Sequence, residues 1–527
     1  YVLTPSLNKS FKFQSEWPYG NSGSYLYQAL INDIENDEKG KKELLNKNEG
    51  DDGIEDGSKT KLILVYAATV GGMLLIVVVV FLIALKFGGA TDATNSDSDS
   101  IGDFSPSPSC TFYAKYSLLE NNTLVKLFNP KYTGYISSMK IDQKPVDNIV
   151  SYYNFTSSGY HGIELEFKDN LDFFDFFFND CPNLVEVNIS QIAAKKITIM
   201  RGLFQESRRL SKVTFGKNFI TSEVADMREM FQDCTSLKEL DISNLDTSKS
   251  ANMNKMFYNC INLDSIDLSN FKTSKVKDMG YLFYGCTSLK SLDLSNLDTS
   301  SVENMEYMFA ACSELKSLDL KGFNTQKVTN MNNMFYHLSS VESLDVSQFI
   351  TSSVTNMGGM FDYCSQLKSL DLSEFDTSKV EDMSYMFAAS PKLTSVVLSS
   401  FKTNKVTNMY NMFYGCSSLS SIDCSSFDTS SLKIMSGMFY GCSSLTSLDL
   451  KNFDTGVVVS MDQVFGWCSK LEYLDISKFD TLHVPSDTFM FMGISEKGKI
   501  VYNSYTFSDS LFKNSNIQNW EHIDQKN

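Results

Sequence analysis

Short alternations of apolar and polar residues recur along most of the chain. In one of them, Leu292 and Leu294 alternate with Ser291, Asp293 and Ser295, which is typical of a strand with one buried face. A phenylalanine recurs with each alternation every 26 residues, at positions 231, 257, 283, 309, 335, 361, 387, 413, 439, 465 and 491. Less regular copies precede these at positions 178 and 204. A fixed period of this length predicts a solenoid, because one repeat cannot bury its apolar face without stacked neighbours.

Each 26-residue copy, called a rung below, carries further patterned positions. Stacked strands predict a parallel sheet with neighbouring strands about 4.8 Å apart. Met279 and Leu282, three residues apart and just before the anchor Phe283, predict one helical turn on the opposite side of the solenoid. A threonine at a fixed position, such as Thr299, predicts hydrogen bonds between rungs or a cap for that turn.

The consensus M-F-x-x-C-x-x-L-x-x-L-D-L-S-x-F-D-T-S-x-V-x-x-M resembles the BspA-like class of leucine-rich repeats, in the Met-rich variant of mycoplasma surface lipoproteins and microbial eukaryotes. The resemblance covers about 178–491 and implies a non-enzymatic cell-surface solenoid, often linked to adhesion or recognition. The expected fold class is an α/β repeat solenoid of the leucine-rich-repeat type, with a parallel β-sheet, short helical turns, β-rich end caps and one N-terminal transmembrane helix. The chain departs from the lipoprotein members by this transmembrane helix, and Leu338 and Ser390 interrupt its cysteine column.

A transmembrane helix is predicted from Leu62 to Leu85, because this stretch has no charge and is long enough to cross a bilayer. Lys42, Lys47, Lys59 and Lys61 precede it within about twenty residues, whereas only Lys86 follows. The excess of lysine predicts a cytoplasmic N-terminal side and a plasma-membrane protein with an extracellular solenoid. A signal peptide cleaved from further upstream would invert this single-pass type II topology.

The predicted organisation has six parts: a cytoplasmic, mostly disordered tail (1–61), the transmembrane helix (62–85), a linker (86–109), a β-rich N-terminal cap (110–177), the solenoid (178–492) and a C-terminal cap (493–527). The caps are expected because a solenoid exposes its core at each end. Glycosylation acceptor motifs follow the helix at Asn121, Asn154 and Asn188.

Charge and cysteine usage limit the function classes. The net charge of −17 excludes nucleic acid as an expected partner. Eight of the eleven cysteines occupy one repeat column, which favours small buried thiols over disulfides between rungs. Cys110 and Cys181 lie outside that column and are the candidate disulfide.

An aspartate ladder is expected to face outward from the strands, at Asp241, Asp267, Asp293, Asp319, Asp345 and Asp371. We favour a solvated face on which neighbouring serines donate hydrogen bonds to these carboxylates. The alternative is a Ca²⁺ site, since Ca²⁺ binds carboxylate oxygens, but the glycine-spaced pattern of calcium-binding β-helices is missing. A second acidic column is interrupted by Lys272 and Lys402, which predicts ion pairs between rungs.

No catalytic motif or cofactor site is found: the four histidines are scattered, and no phosphate-binding loop or nucleophile elbow is present. The expected function is adhesion to, or recognition of, a surface protein or glycan through an extended face. The predicted binding face comprises Ser265, Asp267, Ser291, Asp293, Ser317, Asp319, Ser343 and Asp345. The alternative is a structural subunit that self-assembles into a surface filament or coat.

Overall fold

Parallel pairing between successive rungs organises the part of the chain that the structure describes. The computed structural model describes residues 111–168, 171–191, 197–483, 489–512 and 515–525, all within one compact unit, Phe104–Asn527. One position in each rung forms a parallel β-bridge with the same position in the next. This column consists of Phe173, Ile199, Asp226, Asn252, Asp278, Asn304, Asn330, Asn356, Asp382, Asn408, Ile434 and Ser460. The segment from Phe173 to Ser460 therefore forms a parallel β-solenoid.

The predicted parallel sheet of Leu-Asp-Leu strands is present in part. The strands are β1 (Thr111–Leu118), β2 (Thr123–Lys126), β3 (Ile136–Ile141), β4 (Lys144–Pro145), β5 (Tyr152–Phe155), β6 (Gly159–Phe167), β7 (Leu184–Gln191), β8 (Lys212–Phe215), β9 (Ser369–Asp371), β10 (Ser395–Val397), β11 (Ser447–Asp449), β12 (Tyr473–Asp475), β13 (Lys499–Tyr502) and β14 (Glu521–Asp524). β9 pairs with β10, and β11 to β14 form one parallel ladder. Between β8 and β9 the equivalent segments make longer contacts, such as 3.4 Å from Lys290 N to Asp264 O.

A mixed, mostly antiparallel sheet covers the N-terminal end of the solenoid. Its strand order is β4-β3-β6-β1-β7-β8, and β1 pairs antiparallel with β7, whereas β7 and β8 are parallel. The ring of Phe112 on β1 lies 5.5 Å from that of Phe177 and 6.0 Å from that of Phe178. The sheet thus places aromatic side chains over the first rung. At the other end, the buried Trp520 donates from Nε1 to the carbonyl of Ser495 at 3.0 Å.

The anchor phenylalanines form a continuous stack through the core. Phe231 and Phe257 have ring centroids 5.8 Å apart and nearly parallel planes, and Phe413 and Phe439 repeat this geometry at 5.7 Å. These rings are fully buried. Because all rungs have the same length from Phe231 onward, each new ring falls on the one before it. The core therefore extends without a change of register.

The threonine column joins the rungs through hydrogen bonds, as the sequence predicted. Thr403 is fully buried, and its hydroxyl donates to the carbonyl of Asp428 in the next rung at 2.8 Å. The same oxygen accepts the backbone N–H of Asp428 at 2.8 Å. Thr299 makes the same pair of bonds to Asn324, at 3.0 and 2.7 Å. One hydroxyl thus satisfies both backbone groups of a residue that lies at a corner of the solenoid.

The predicted helical turn at Met279 and Leu282 is wrong. Leu282 N–H donates to the carbonyl of Met279 at 3.2 Å, a tight i→i−3 turn, and Tyr281 has a positive φ of 57°. Tyr281 N–H donates to Glu306 O in the next rung at 2.8 Å. In an α-helix the N–H groups beyond the first turn bond within the helix, whereas here alternate N–H groups bond to the next rung. The helices among the described residues are three short 3₁₀ helices, Pro130–Tyr135, Asp509–Phe512 and Asn516–Asn519.

The predicted tail (1–61), transmembrane helix (62–85) and linker (86–109) lie outside the described residues. Among the residues that are described, no helix has the length and apolar character needed to cross a membrane. Membrane anchoring therefore stays a prediction.

Candidate recognition surfaces

The eight residues of the predicted binding face are all exposed along the outer side of the strand column. Their aspartates bind the turn that follows in the same rung. Asp293 Oδ1 accepts the backbone N–H of Ser295 at 2.9 Å, and Asp345 Oδ1 accepts both the N–H and the hydroxyl of Ser347, at 3.1 and 2.7 Å. The serine hydroxyl and then the backbone N–H hold the pKa of both carboxyl groups below its usual value. The aspartates therefore stabilise turns while remaining at the surface.

The Ca²⁺ alternative for this ladder finds no support in the described residues. No group of three or more His, Cys, Asp or Glu side chains in the described ranges is arranged to hold a metal ion. Asp241 and Asp371, at the two ends of the predicted ladder, each accept the N–H of the serine two residues later, at 3.0 Å. Each carboxylate is thus engaged within its own rung.

The second acidic column carries the ion pairs between rungs that the sequence predicted. Lys272 Nζ lies 3.8 Å from Asp246 Oδ1, and Lys402 Nζ lies 3.7 Å from Asp376 Oδ1. All four side chains are substantially exposed, so these pairs contribute little to stability. They do break the run of like charges along this column.

The cysteine column consists of free, buried thiols. Cys260 Sγ lies 3.2 Å from the carbonyl of Phe231, and the same contact recurs at Cys286 with Phe257. Ser390 substitutes its hydroxyl in this contact, 3.1 Å from Phe361 O. Burial raises the pKa of these thiols, to about 12 for Cys312. The column therefore donates weak hydrogen bonds between rungs and presents no reactive thiolate.

The predicted disulfide is not seen at its described half. Cys181 is a free, buried thiol whose Sγ lies 3.7 Å from the carbonyls of Leu127 and Asn179. Cys110 lies outside the described residues.

The three glycosylation acceptors differ in exposure. Asn121 and Asn154 are exposed, whereas Asn188 is half-buried within β7, between β1 and β8. A strand paired on both sides leaves little room for a glycan at Asn188, and glycosylation at Asn121 and Asn154 stays a prediction.

An aromatic column on the turn side was missed by the sequence analysis. Tyr258 and Tyr284 stack with centroids 4.7 Å apart, and Tyr281 and Tyr307 do the same. Lys255 Nζ lies 5.4 Å from the centroid of the Tyr281 ring, within the range of a cation–π interaction. These tyrosines fall one residue after or two before the anchor Phe. Their spacing was visible in the sequence, but the helical turn assigned there concealed that both positions face outward.

The aromatic column is interrupted at Asp362 and at the equivalent position of the next rung. The residue after the anchor Phe is Tyr336 in one rung, Asp362 in the next, then Ala388, then Tyr414. Asp362 is 6 % exposed, and its Oδ1 has no hydrogen-bond partner. Burial raises the pKa of this carboxyl well above its usual value. A buried acceptor without a partner is costly, and this one lies among tyrosines.

Two solved structures resemble this one weakly. A leucine-rich repeat protein from Bacteroides ovatus is 19 % identical, with 72 % of this chain and 90 % of that chain covered and a TM-score of 0.36. A leucine-rich cell surface protein from Faecalibacterium prausnitzii is 18 % identical, with 65 % and 84 % covered and a TM-score of 0.27. Neither similarity carries a functional argument at these scores.

One curated protein matches over a short segment. The sporulation protein YdcC of Bacillus subtilis is 60 % identical over 37 residues, which are 7 % of this chain and 11 % of that protein. The match spans a small part of either chain, so nothing about that protein's role transfers with it.

A family model matches the repeats themselves. It covers residues 173–266, 259–343, 337–445 and 418–520, which together are well over half of the chain. The predicted resemblance to the Met-rich BspA-like repeats of mycoplasma surface proteins is confirmed. The chain belongs to the family described as Mycoplasma protein of unknown function, DUF285.

Proposed function

We propose that this chain is a membrane-anchored cell-surface protein that recognises a protein or glycan on another surface through the strand face of its solenoid. The observation that carries the proposal is the exposure of the same Ser-Asp positions in rung after rung. The aspartates bind their own turns, whereas no hydrogen bond is found for the exposed hydroxyls of Ser291, Ser317 and Ser343 within the described part of the chain. Hydroxyl groups are therefore presented at regular intervals.

Recognition by such a face would sum many weak contacts. Neighbouring strands in a parallel stack are about 4.8 Å apart, so a ligand that spans several rungs meets the same groups repeatedly. Repeated weak contacts raise the overall affinity when they can form at the same time. No single residue would then be essential, and binding would weaken in proportion to the number of altered rungs. The proposed anchor is the apolar segment 62–85.

The competing proposal is self-assembly into a filament or coat. Its support is the last strand, β14, which stands at one end of the β11-β12-β13-β14 ladder. A strand at the end of a ladder can pair with another chain. The N-terminal end is covered by the antiparallel pairing of β1 with β7, so end-to-end stacking would require the cap to move.

The test uses the soluble fragment 101–527, which contains the compact unit Phe104–Asn527. Binding to a glycan array and to immobilised collagen, fibronectin and laminin is compared between the wild type and a strand-face variant. That variant carries Ser265→Arg, Ser291→Arg, Ser317→Arg and Ser343→Arg. The matched control adds the same charge on the return path of the solenoid, with Ser274→Arg, Ser301→Arg, Ser352→Arg and Ser353→Arg.

Binding that the strand-face variant loses and the control retains would support the proposal. Equal binding by both variants would refute the strand face as the site. Light scattering with and without Ca²⁺ tests the competing proposal: a monomer indifferent to calcium supports recognition, whereas growth into long species would make self-assembly the leading function.

A further inference from the structure

Asp362 lies in the aromatic column of the turn side, which the proposed strand face does not use. Its neighbours in the column are Tyr336 in the preceding rung and Ala388 in the following rung. Asp362 N–H donates to Gly359 O at 3.0 Å, and Asp362 O accepts His337 N–H at 2.8 Å, so the backbone is satisfied. The unsatisfied group is the side-chain atom Oδ1. The backbone of Tyr363 hydrogen-bonds to the carboxyl group and offsets part of the effect of burial on its pKa, but Oδ1 has no hydrogen-bond partner within the described residues.

Tyr336 in the preceding rung and Tyr363, the next residue along the chain, flank Asp362. Tyr336 and Tyr363 lie edge to face with centroids 5.8 Å apart, and Tyr385 from the next rung packs against Tyr410 at 5.1 Å. Burial first, and then the charge of Asp362, raises the pKa of Tyr336 and of Tyr363. The same carboxyl also acts on Tyr385. The pKa values of three half-buried tyrosines thus respond to the same carboxyl group.

No cation of the described residues neutralises Asp362. It takes part in none of the ion pairs found in the described ranges. His337 is the nearest titratable base by backbone connection, and burial lowers its pKa, which disfavours its charged form near neutral pH. The Lys255 ammonium group lies on an earlier part of the column, over Tyr258 and Tyr281. No ion pair within the described residues therefore stabilises the charged form of Asp362.

We propose that Asp362, Tyr336, Tyr363 and Tyr385 form a binding site for a primary alkylammonium group, as carried by a lysine side chain or a free alkylamine. The tyrosine faces attract a cation, as in the aromatic cages that bind ammonium ligands. The orphan Oδ1 selects among ammonium groups, because it lacks a hydrogen-bond donor and a primary ammonium group supplies one through its N–H. A quaternary ammonium group has no N–H and leaves the acceptor unsatisfied. The net charge of −17 favours the approach of any cation.

The opposing interpretation is a permanently neutral carboxyl group that fills space in the column. The two differ in what Asp362→Asn does. An asparagine has nearly the shape of a neutral carboxyl group but carries no charge, so it preserves the packing and removes the attraction for a cation.

The experiment is isothermal titration calorimetry on the full 527-residue chain in detergent at pH 7, with butylammonium chloride as the probe. Tetramethylammonium is the cation without an N–H, and 1-butanol is the neutral molecule of similar shape. The variants are Asp362→Asn and Tyr363→Leu, with Asp371→Asn as the matched control, since Asp371 is an exposed carboxylate of the same repeat on the strand face. Circular dichroism confirms that each variant is folded.

We expect saturable binding of butylammonium that falls at least tenfold in Asp362→Asn, falls severalfold in Tyr363→Leu and is unchanged in Asp371→Asn. Tetramethylammonium should bind at least fivefold more weakly, and 1-butanol should not bind. Nα-acetyl-lysine methyl ester separates the sources: tighter binding than butylammonium indicates a lysine side chain, and equal binding indicates a free amine. Absence of saturable butylammonium binding, or equal binding by the wild type and Asp362→Asn, would overturn the proposal. If a variant does not fold, the comparison of butylammonium with 1-butanol on the wild type still tests whether binding requires the ammonium group.

Discussion

Replacement of Thr403 by valine isolates the contribution of one hydroxyl that joins two rungs. Valine keeps the branched shape and volume of the side chain but removes the hydroxyl, which donates to Asp428 O and accepts from Asp428 N–H, both at 2.8 Å. A neutral hydrogen bond contributes about 1 kcal/mol net, and a buried partner left unpaired costs somewhat more. Asp428 lies at an exposed corner, so water can partly replace the lost partner. The expected loss is about 2 kcal/mol.

The measurement is urea unfolding of the 101–527 fragment, followed by circular dichroism. Repeat proteins can unfold in parts, so hydrogen exchange across 424–432 locates the effect: the Asp428 amide should lose protection. Thr446→Val is the matched control, because Thr446 is exposed on the strand side and should change stability by less than about 0.5 kcal/mol. Thr403→Ser keeps the hydroxyl and should lose only the contribution of one buried methyl group, about 0.8 kcal/mol. Equal stability of Thr403→Val and Thr446→Val, with unchanged exchange at Asp428, would refute the assigned role.

Three further predictions follow from local geometry and charge. Gly359→Ala should destabilise the fold by more than about 1 kcal/mol, because Gly359 has a φ of +60° and an added Cβ would fall on Asn333 Oδ1. Asn333→Gly should recover part of this loss in thermal unfolding. The control Gly322→Ala should have little effect, because a Cβ at Gly322 meets nothing within 4 Å. Burial raises the pKa of Cys312 to about 12 from 9.0, so the contribution of the neutral thiol to stability is present below pH 9 and is lost as the pH rises toward 12. Thiols of the folded protein should therefore resist iodoacetamide at pH 8. Rapid labelling without denaturant would contradict this. Ser295 lowers the pKa of Asp293, so the hydrogen bonds of this carboxylate stabilise the fold above about pH 4 and are lost as the pH falls below that value. Asp293→Asn should therefore reduce the change of the unfolding midpoint with pH between pH 2 and 4. An unchanged pH dependence would count against the turn-capping role.

The repeat period predicted the solenoid and the identity of its core, because a constant length puts chemically equal residues in neighbouring rungs. The stacks at Phe231 and Phe257 and the hydroxyl bonds of the threonine column follow from that rule. The period could not distinguish a helical turn from a series of tight turns. Met279 and Leu282 are three residues apart in either case, and the positive φ of Tyr281 is invisible in a residue other than glycine.

The sequence predicted the exposed strand face but not the buried carboxyl group of Asp362. The exposure of Ser291 and Asp293 followed from alternation along the strand, since successive side chains point to opposite faces. The burial of Asp362 did not follow from any pattern, because it depends on the sizes of side chains in two neighbouring rungs. Ala388 beside Asp362 was visible in the sequence, but a column with tyrosine in some rungs and alanine in others gave no reason to expect an unpaired acceptor.

The threonine and bridge columns connect each rung only to its immediate neighbours. These contacts are the same whatever the total number of rungs, so the fold does not fix that number. Deleting or duplicating 26 residues in frame should therefore shorten or lengthen the stack by about 5 Å while leaving both ends unchanged. Removing a single residue, in contrast, would shift every later column out of alignment unless a corner absorbed it, as the extra residue between Phe204 and Phe231 shows that one corner does. Unequal recombination between nearly identical copies could thus change the reach of the protein in steps of one rung.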